Sequence, residues 1–145
     1  MCQALILYLD TSAWVKLYVR EHGSKELRAH AAKTEAMATS VVAYPEARAA
    51  FARLKAQGIS TEAKHQQRLA QLNLDWESLL RIELVPAIVR NAGDLAEVYG
   101  LRGFDSIHLV SALWLKEKTS MPLHFAVFDQ RLRHAAERVG LMVAP

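Results

Sequence analysis

Apolar and polar residues alternate along the chain in a pattern that predicts strands and helices in turn. Residues 4–9 (ALILYL) form a short apolar run that ends at an acid, which is typical of a strand buried on both faces. Four further strands are predicted at 36–40, 81–86, 124–128 and 141–144. Strands that alternate with helices favour right-handed crossovers. The pattern therefore predicts a three-layer α/β domain with a parallel sheet.

Helices are predicted between these strands from apolar spacing and capping residues. The first runs from residue 12 to about residue 20 with Thr11 or Ser12 as its cap, and the second is capped by Ser24. Pro45 fits only a first turn, so the third begins between residues 41 and 44. A helix that starts at Asp105 is apolar nearly all round and should be buried. The other helices are predicted at 60–80 (as one or two), 87–100 and 129–140.

Composition narrows the class of protein only a little. The chain has 145 residues, 52% of them apolar, which suits one hydrophobic core and a single domain over residues 1–145. The lone Cys2 allows no internal disulfide, and we find neither a secretory signal nor a membrane span, so we expect a cytoplasmic protein. A net charge of +3 favours polyanionic partners only slightly.

Four acids fall at predicted junctions between a strand and the following helix. Their positions are Asp10, Glu46, Asp105 and Asp129. Such junctions lie at one edge of a parallel sheet, the carboxyl edge, where ligand sites of doubly wound folds occur. We therefore expect the four carboxylates to converge.

A structural role is the alternative for most of these acids. Asp10, Asp105 and Asp129 could each cap or begin a helix. Glu46 flanks the apolar stripe of its helix, so solvation explains it less well. Clustered carboxylates repel one another and need a cation, and an all-oxygen site suits Mg²⁺ or Mn²⁺. These ions support phosphodiester hydrolysis. His108, three residues after Asp105, either hydrogen-bonds near this site or is structural.

The sequence resembles the PIN-domain ribonucleases, and most closely the VapC-like toxins of toxin–antitoxin pairs. Four segments carry the resemblance, in family order and over nearly the whole chain: LYLDTSAWVKLYVREHGS, ATSVVAYPEARAAFARL, LRGFDSIHLVSALWL and FAVFDQRLRHAAERVGLMV. The resemblance implies a three-layer α/β/α fold with a mainly parallel sheet. It also implies an endoribonuclease that requires Mg²⁺, for which Mn²⁺ can substitute.

The resemblance also implies roles for individual residues and for partners. Asp10, Glu46, Asp105 and Asp129 match the acids of the metal pocket, and Ser12 matches a nearby hydroxyl position. Our hypothesis is that Asp10 and Asp105 hold one ion, while the other two acids orient a water or recruit a second ion. The implied partners are an RNA substrate, a VapB-like antitoxin and a second copy of the chain, with no membrane.

Two other classes of function stay open from the sequence. A receiver-like signalling module would also bind Mg²⁺ through clustered acids, but it should carry paired acids after its first strand and a Lys after its last. Here the first strand is followed by Asp10 alone, and the tail LMVAP has no Lys. A silent PIN-type module would bind RNA or protein without cleavage, and should have lost acids that this chain retains.

Overall fold

Five parallel strands form the sheet at the centre of the fold. The computed structural model describes residues 4–145, so Cys2 lies outside the described residues. The strands are β1 (Ile6–Leu9), β2 (Ala36–Ser40), β3 (Leu80–Ile82), β4 (Leu123–Ala126) and β5 (Met142–Ala144). Their order is β3-β2-β1-β4-β5, and every neighbouring pair is parallel. The predicted parallel sheet is confirmed, with β1 in the middle.

Helices cover both faces of this sheet. They are α1 (Thr11–Lys16), α2 (Ser24–Ala31), α3 (Ala43–Ala56), α4 (Glu62–Ser78), α5 (Pro86–Tyr99), α6 (Gly103–Thr119) and α7 (Gln130–Arg138). Successive residues of a strand point to opposite faces. Leu7 and Leu9 of β1 accordingly pack in a core with α1 to α4, whereas Ile6 and Tyr8 pack in a second core with α5 to α7. The three-layer α/β/α fold is confirmed.

Helix α1 is shorter than predicted and has a different cap. It ends at Lys16, because the next two amides bond to carbonyls three residues back and not four: Leu17 N to Trp14 O, and Tyr18 N to Val15 O. This spacing is the tighter pattern of a 3-10 turn. Its cap is Asp10 rather than Thr11 or Ser12. Among residues 4–145, we find no helix with the length and apolar character needed to cross a membrane.

Helix α2 is capped by Gly23, not by Ser24. Ser24 is the first helical residue, and its hydroxyl donates to the carbonyl of Val19 instead. Gly23 has a φ of 88°, and a Cβ atom there would lie 2.5 Å from the Phe128 ring. A side chain at position 23 is therefore excluded by both backbone conformation and space.

Two strands end earlier than predicted. β3 occupies Leu80–Ile82 rather than 81–86, since only these residues pair with β2 before Pro86 begins α5. β4 ends at Ala126 rather than at residue 128, because β1 ends at Leu9, the partner of Ala126.

Candidate active site

Asp10 leaves the central strand at its carboxyl end and is 3% exposed. Its Oδ1 accepts a 2.8 Å hydrogen bond from the amide of Ala13, so it caps α1. Burial raises the pKa of Asp10 to about 6, and the carboxylates of Asp105 and Glu46 act in the same direction. His108 and the Ala13 amide oppose this rise. A buried carboxylate that is destabilised by two others lies at the centre of the site.

Glu46 and Asp105 line the same cleft as Asp10, which has a volume of about 790 Å³. Each lies in the first turn of its helix, Glu46 in α3 and Asp105 in α6. Because Asp105 follows helix α5, its predicted position at a junction between a strand and a helix is wrong. Helices α3 and α6 pack on opposite faces of the sheet, so the acids meet at the end of β1. Asp105 also accepts a 3.1 Å hydrogen bond from Nε of Arg102. Three of the four predicted acids thus share one cleft.

Asp129, unlike the other three predicted acids, does not line the cleft. It is exposed, and its Oδ2 accepts a 2.9 Å hydrogen bond from the amide of Leu132, which makes it the cap of α7. The neighbouring Phe128 lines the cleft, whereas Asp129 is not among the lining residues. A role for Asp129 in the metal pocket therefore stays a prediction.

The donor chemistry of the cleft suits a hard cation. Asp10, Glu46 and Asp105 offer only carboxylate oxygens, and the pKa of about 6 at Asp10 reflects a carboxylate whose charge lacks sufficient compensation. Within residues 4–145, no three His, Cys, Asp or Glu side chains already form a metal-binding group. Mg²⁺ often takes only one or two carboxylates and completes its shell with water and phosphate oxygens. The residues present fit such an ion.

His108 is 2% exposed and connects the core to the acids. Its Nε2 lies 3.0 Å from the hydroxyl of Thr11 and 3.3 Å from Oε1 of Glu46. Thr11 in turn donates a 2.5 Å hydrogen bond to the same Oε1. We assign the imidazole hydrogen to Nε2, because the Thr11 hydroxyl oxygen and Oε1 of Glu46 can both accept it. In the neutral ring, Nδ1 then accepts the hydroxyl hydrogen of Tyr8 at 2.9 Å.

These hydrogen bonds stabilise the ionised form of Glu46. Burial alone would raise its pKa, but the hydrogen bonds from His108 and Thr11, together with the electrostatic attraction of His108 and Arg102, hold the pKa below its usual value. The pKa of Asp10 is shifted in the opposite direction within the same cleft. Opposite shifts of neighbouring carboxyl groups are typical of sites where the groups have different chemical roles.

Sequence reasoning missed some residues of this site. Ser12, the predicted hydroxyl, lines the cleft and is exposed, but Thr11 is the hydroxyl that bonds Glu46. Tyr8 lies inside an apolar strand, so nothing in the sequence pattern indicated that it contacts the site. Glu21 lines the cleft from the loop before α2 and pairs with Lys16 at 2.9 Å. Adjacency to Asp10 was the one signal that could have identified Thr11.

The rim of the cleft is basic and aromatic. Three cations line it, Lys16, Arg53 and Arg102, together with two aromatic rings, Phe104 and Phe128. Lys16 Nζ lies 4.7 Å from the centre of the Phe128 ring, a cation–π contact. An acidic floor beneath a basic rim suits a ligand that carries phosphate groups and a bound cation.

Comparison with known proteins agrees with this architecture. The model of the PIN domain family matches residues 7–138. Ribonuclease VapC45 of Mycobacterium tuberculosis is 38% identical over 144 residues, which cover 97% of this chain and 95% of that protein. Among solved structures, FitAcB from Neisseria gonorrhoeae has a TM-score of 0.63 and 21% identity, with 96% of each chain covered.

A toxin–antitoxin complex from Klebsiella pneumoniae also shares the fold. Its TM-score is 0.60 at 18% identity, with 87% of this chain and 86% of that chain covered. Both structural likenesses concern the fold alone. The family model covers most of the chain and the identity to VapC45 extends over nearly all of it, so the chain belongs to the PIN-domain family, and within it to the VapC proteins.

Proposed function

We propose that this protein is a metal-dependent endoribonuclease that hydrolyses RNA phosphodiester bonds and acts as the toxin of a toxin–antitoxin pair. The observation that supports this most directly is the meeting of Asp10, Glu46 and Asp105 in one cleft at the carboxyl end of β1. VapC45, a ribonuclease by name, matches nearly the whole chain.

Each acid has a proposed task. Asp10 and Asp105 would hold Mg²⁺ or Mn²⁺, which when bound would neutralise phosphate charge and promote attack by water. Glu46 is fixed through Oε1 by Thr11 and His108. We assign the orientation of the attacking water to its second oxygen, Oε2. Asp129, the exposed cap of α7, is proposed as a peripheral fourth acid.

The basic rim is proposed to hold the RNA backbone. Lys16, Arg53 and Arg102 all line the cleft above the acids. Most hydrogen bonds from proteins to nucleic acids go to phosphate and sugar, and they fix register rather than read sequence. These three cations would therefore place the scissile phosphate over the carboxylates without selecting a base.

A VapB-like antitoxin is the proposed protein partner. The similar structure from Klebsiella pneumoniae is a toxin–antitoxin complex. We propose that the antitoxin of this chain covers the same acidic cleft, and that the toxin forms a homodimer within the hetero-oligomer. Occupation of the cleft would block RNA, so the complex should be inactive.

The proposal is tested by incubating a mixed cellular RNA pool with the purified protein in Mg²⁺, in Mn²⁺ and in EDTA. Asp10→Asn is the inactive variant, because Asn keeps the cap of α1 while removing the charge. Asp94→Asn, an exposed acid of α5 outside the cleft, is the matched control. We expect discrete fragments from the wild type and from Asp94→Asn, only with metal, and none from Asp10→Asn.

The other two classes of function predict different results. A receiver-like module has the strand order 2-1-3-4-5, whereas the order here is β3-β2-β1-β4-β5. A silent PIN-type module would bind RNA and leave it intact in every condition. Intact RNA with the folded wild type, free of antitoxin and supplied with metal, would contradict the proposed nuclease.

A further inference from the structure

Four aromatic residues lie close enough in sequence to the acids to be considered for contact with RNA bases: Tyr18, Tyr44, Phe104 and Phe128. Phe128 also lines the cleft, but its half-buried ring lies against Gly23 and contacts Nζ of Lys16. Tyr18 donates its hydroxyl hydrogen to Asp75 and packs edge-on against Phe51. Tyr44 donates to Asn73 and packs against Trp76. Phe104, in contrast, is 55% exposed. Both tyrosines thus make hydrogen bonds and ring contacts within the fold, whereas Phe104 presents its ring to solvent.

Phe104 also lies directly beside Asp105, a proposed metal ligand. It lies in the first turn of α6, one residue before Asp105, so their Cα atoms are about 3.8 Å apart. Both residues line the cleft. Because the Phe104 side chain is more than half exposed and lines the cleft, a flat group can approach the ring from there.

The charges around Phe104 favour a nucleotide as the occupant. Arg102, two residues before the ring, has a side chain that is 82% exposed, and Arg53 and Lys16 line the same cleft. These cations attract phosphates, while the ring attracts the face of a base. Proteins bind single-stranded RNA through such exposed aromatic rings, on which the bases stack, beside cations that bind the phosphates.

We propose that Phe104 is a stacking platform for the unpaired base of the nucleotide beside the scissile phosphate. The inference rests on the proposed function and adds one residue that contacts the substrate, the ring on which the unpaired base stacks. A base inside a duplex already stacks on both faces and cannot reach the ring. Stacking tolerates any base, so Phe104 would select single strands and not a particular sequence.

The test measures RNA affinity separately from cleavage. The Asp10→Asn protein, which keeps its fold but should not cut, is titrated into a fluorescein-labelled oligouridylate, and into a matched abasic oligomer that has the ribose–phosphate backbone without bases. Each titration is repeated with Phe104→Leu and Phe104→Trp in the same background. Val98→Ala, an exposed apolar residue of α5, is the matched control.

We expect Phe104→Leu to weaken binding of the oligouridylate by about fivefold or more, because an aromatic stack contributes roughly 1–3 kcal/mol per base. Phe104→Trp should bind it at least as tightly as the parent. All variants should bind the abasic oligomer equally, since their cations are unchanged. Val98→Ala should match the parent on both probes.

Two results would overturn the proposal while leaving the nuclease intact. If Phe104→Leu binds the oligouridylate as tightly as its parent, the ring contacts no base, and a protein partner becomes its better occupant. If Phe104→Leu weakens binding of both oligomers equally, the ring positions the cations that bind phosphate and does not contact a base. If the parent binds neither oligomer and the wild type cuts no RNA, the proposed function fails together with this inference.

Discussion

The phenolic oxygen of Tyr8 lies 2.9 Å from Nδ1 of His108, where the hydrophobic core meets the acidic cleft. The two rings meet edge to face, with their centres 5.9 Å apart. Both residues are almost fully buried, so packing fixes the orientation of the imidazole. The opposite ring nitrogen then faces Thr11 and Glu46. A buried strand residue thus sets the position of a proposed catalytic carboxylate.

Replacement of His108 should lower both stability and cleavage. His108→Ala leaves a cavity and removes partners of Tyr8 and Thr11, so we expect a loss of about 2–4 kcal/mol in the free energy of unfolding. Cleavage should fall by roughly 10- to 100-fold, the range typical of outer residues that orient the groups around a metal site. Urea unfolding and initial rates of RNA cleavage measure the two effects.

Tyr8→Phe is the matched variant for this prediction. It removes only the hydroxyl, and it should cost about 1 kcal/mol of stability while leaving Thr11 and Glu46 their contacts with His108. ¹⁵N NMR of the imidazole should show hydrogen on Nε2 in the wild type. Hydrogen on Nδ1 alone in the neutral ring would contradict the hydrogen-bond chain that we assign.

Asp10 should make the metal-free protein less stable as the pH rises. Its pKa is raised to about 6 from the ordinary value of 3.8. Between these values the folded state keeps a proton that the unfolded state has lost, so the free energy of unfolding falls with increasing pH, by about 3 kcal/mol in total. Asp10→Asn keeps the cap but does not titrate, so it should lack this decrease.

The measurement is urea unfolding in EDTA at about pH 4 and about pH 8. Groups far from the cleft contribute equally in both proteins, so the difference between wild type and Asp10→Asn reports the charge of Asp10 and its interactions within the cleft. We expect similar stabilities at the lower pH and a more stable variant at the higher pH. A wild type that equals the variant at both values would mean that Asp10 has an ordinary pKa.

Mg²⁺ or Mn²⁺ should stabilise the folded protein, and EDTA should reverse the effect. A ligand that binds only the folded state adds about 2.7 kcal/mol at a concentration 100 times its Kd. Thermal unfolding should therefore shift upward with added metal in the wild type and in Asp94→Asn. The shift should be lost in Asp10→Asn and in Asp105→Asn. A shift retained in both of these variants would place the ion elsewhere.

Asp129 should matter less for cleavage than the three acids of the cleft. Asp129→Asn keeps a capping side chain for α7 and removes the charge, whereas Asp129→Ala also removes the cap and should cost about 1 kcal/mol. We expect Asp129→Asn to retain more cleavage activity than Asp10→Asn. If the two variants lose activity to the same extent, Asp129 belongs to the metal pocket as the family resemblance implies.

Arg53 should contribute to RNA affinity through charge alone. Arg53→Gln should weaken oligouridylate binding and reduce the slope of log K against log salt concentration by about 0.7, the value for one phosphate contact on a single strand. Arg90→Gln, which removes an exposed cation of α5 outside the cleft, should leave the slope unchanged. An unchanged slope for Arg53→Gln would remove this residue from the binding surface.

The layers and the parallel sheet followed from the sequence because buried strands and their helices leave strong periodic patterns. The rule that parallel strands end at one edge also anticipated that Asp10 and Glu46 lie together. It did not account for Asp105, which follows helix α5 and not a strand. It could not place Asp129, which lies three residues beyond β4 and turns outward to cap α7. The rule fixes where a strand ends but not how the following loop turns.

The contacts between these residues could not be predicted. Thr11 and Glu46 are 35 residues apart, and Tyr8 and His108 are 100 apart. Each pair meets only because α3 and α6 pack at particular depths on opposite faces of the sheet. Side-chain volumes across the whole core set those depths, and no local pattern encodes them.

Burial differs sharply between the floor and the rim of the cleft. Asp10 and His108 are enclosed by the core, whereas Phe104 and Arg53 stand in solvent. A change to the floor must be accommodated by the packed interior, but a change at Phe104 or Arg53 disturbs almost nothing beneath it. Duplicated copies of such a gene can therefore diverge toward different RNAs by exchanging a few surface residues, while the same buried chemistry is inherited intact.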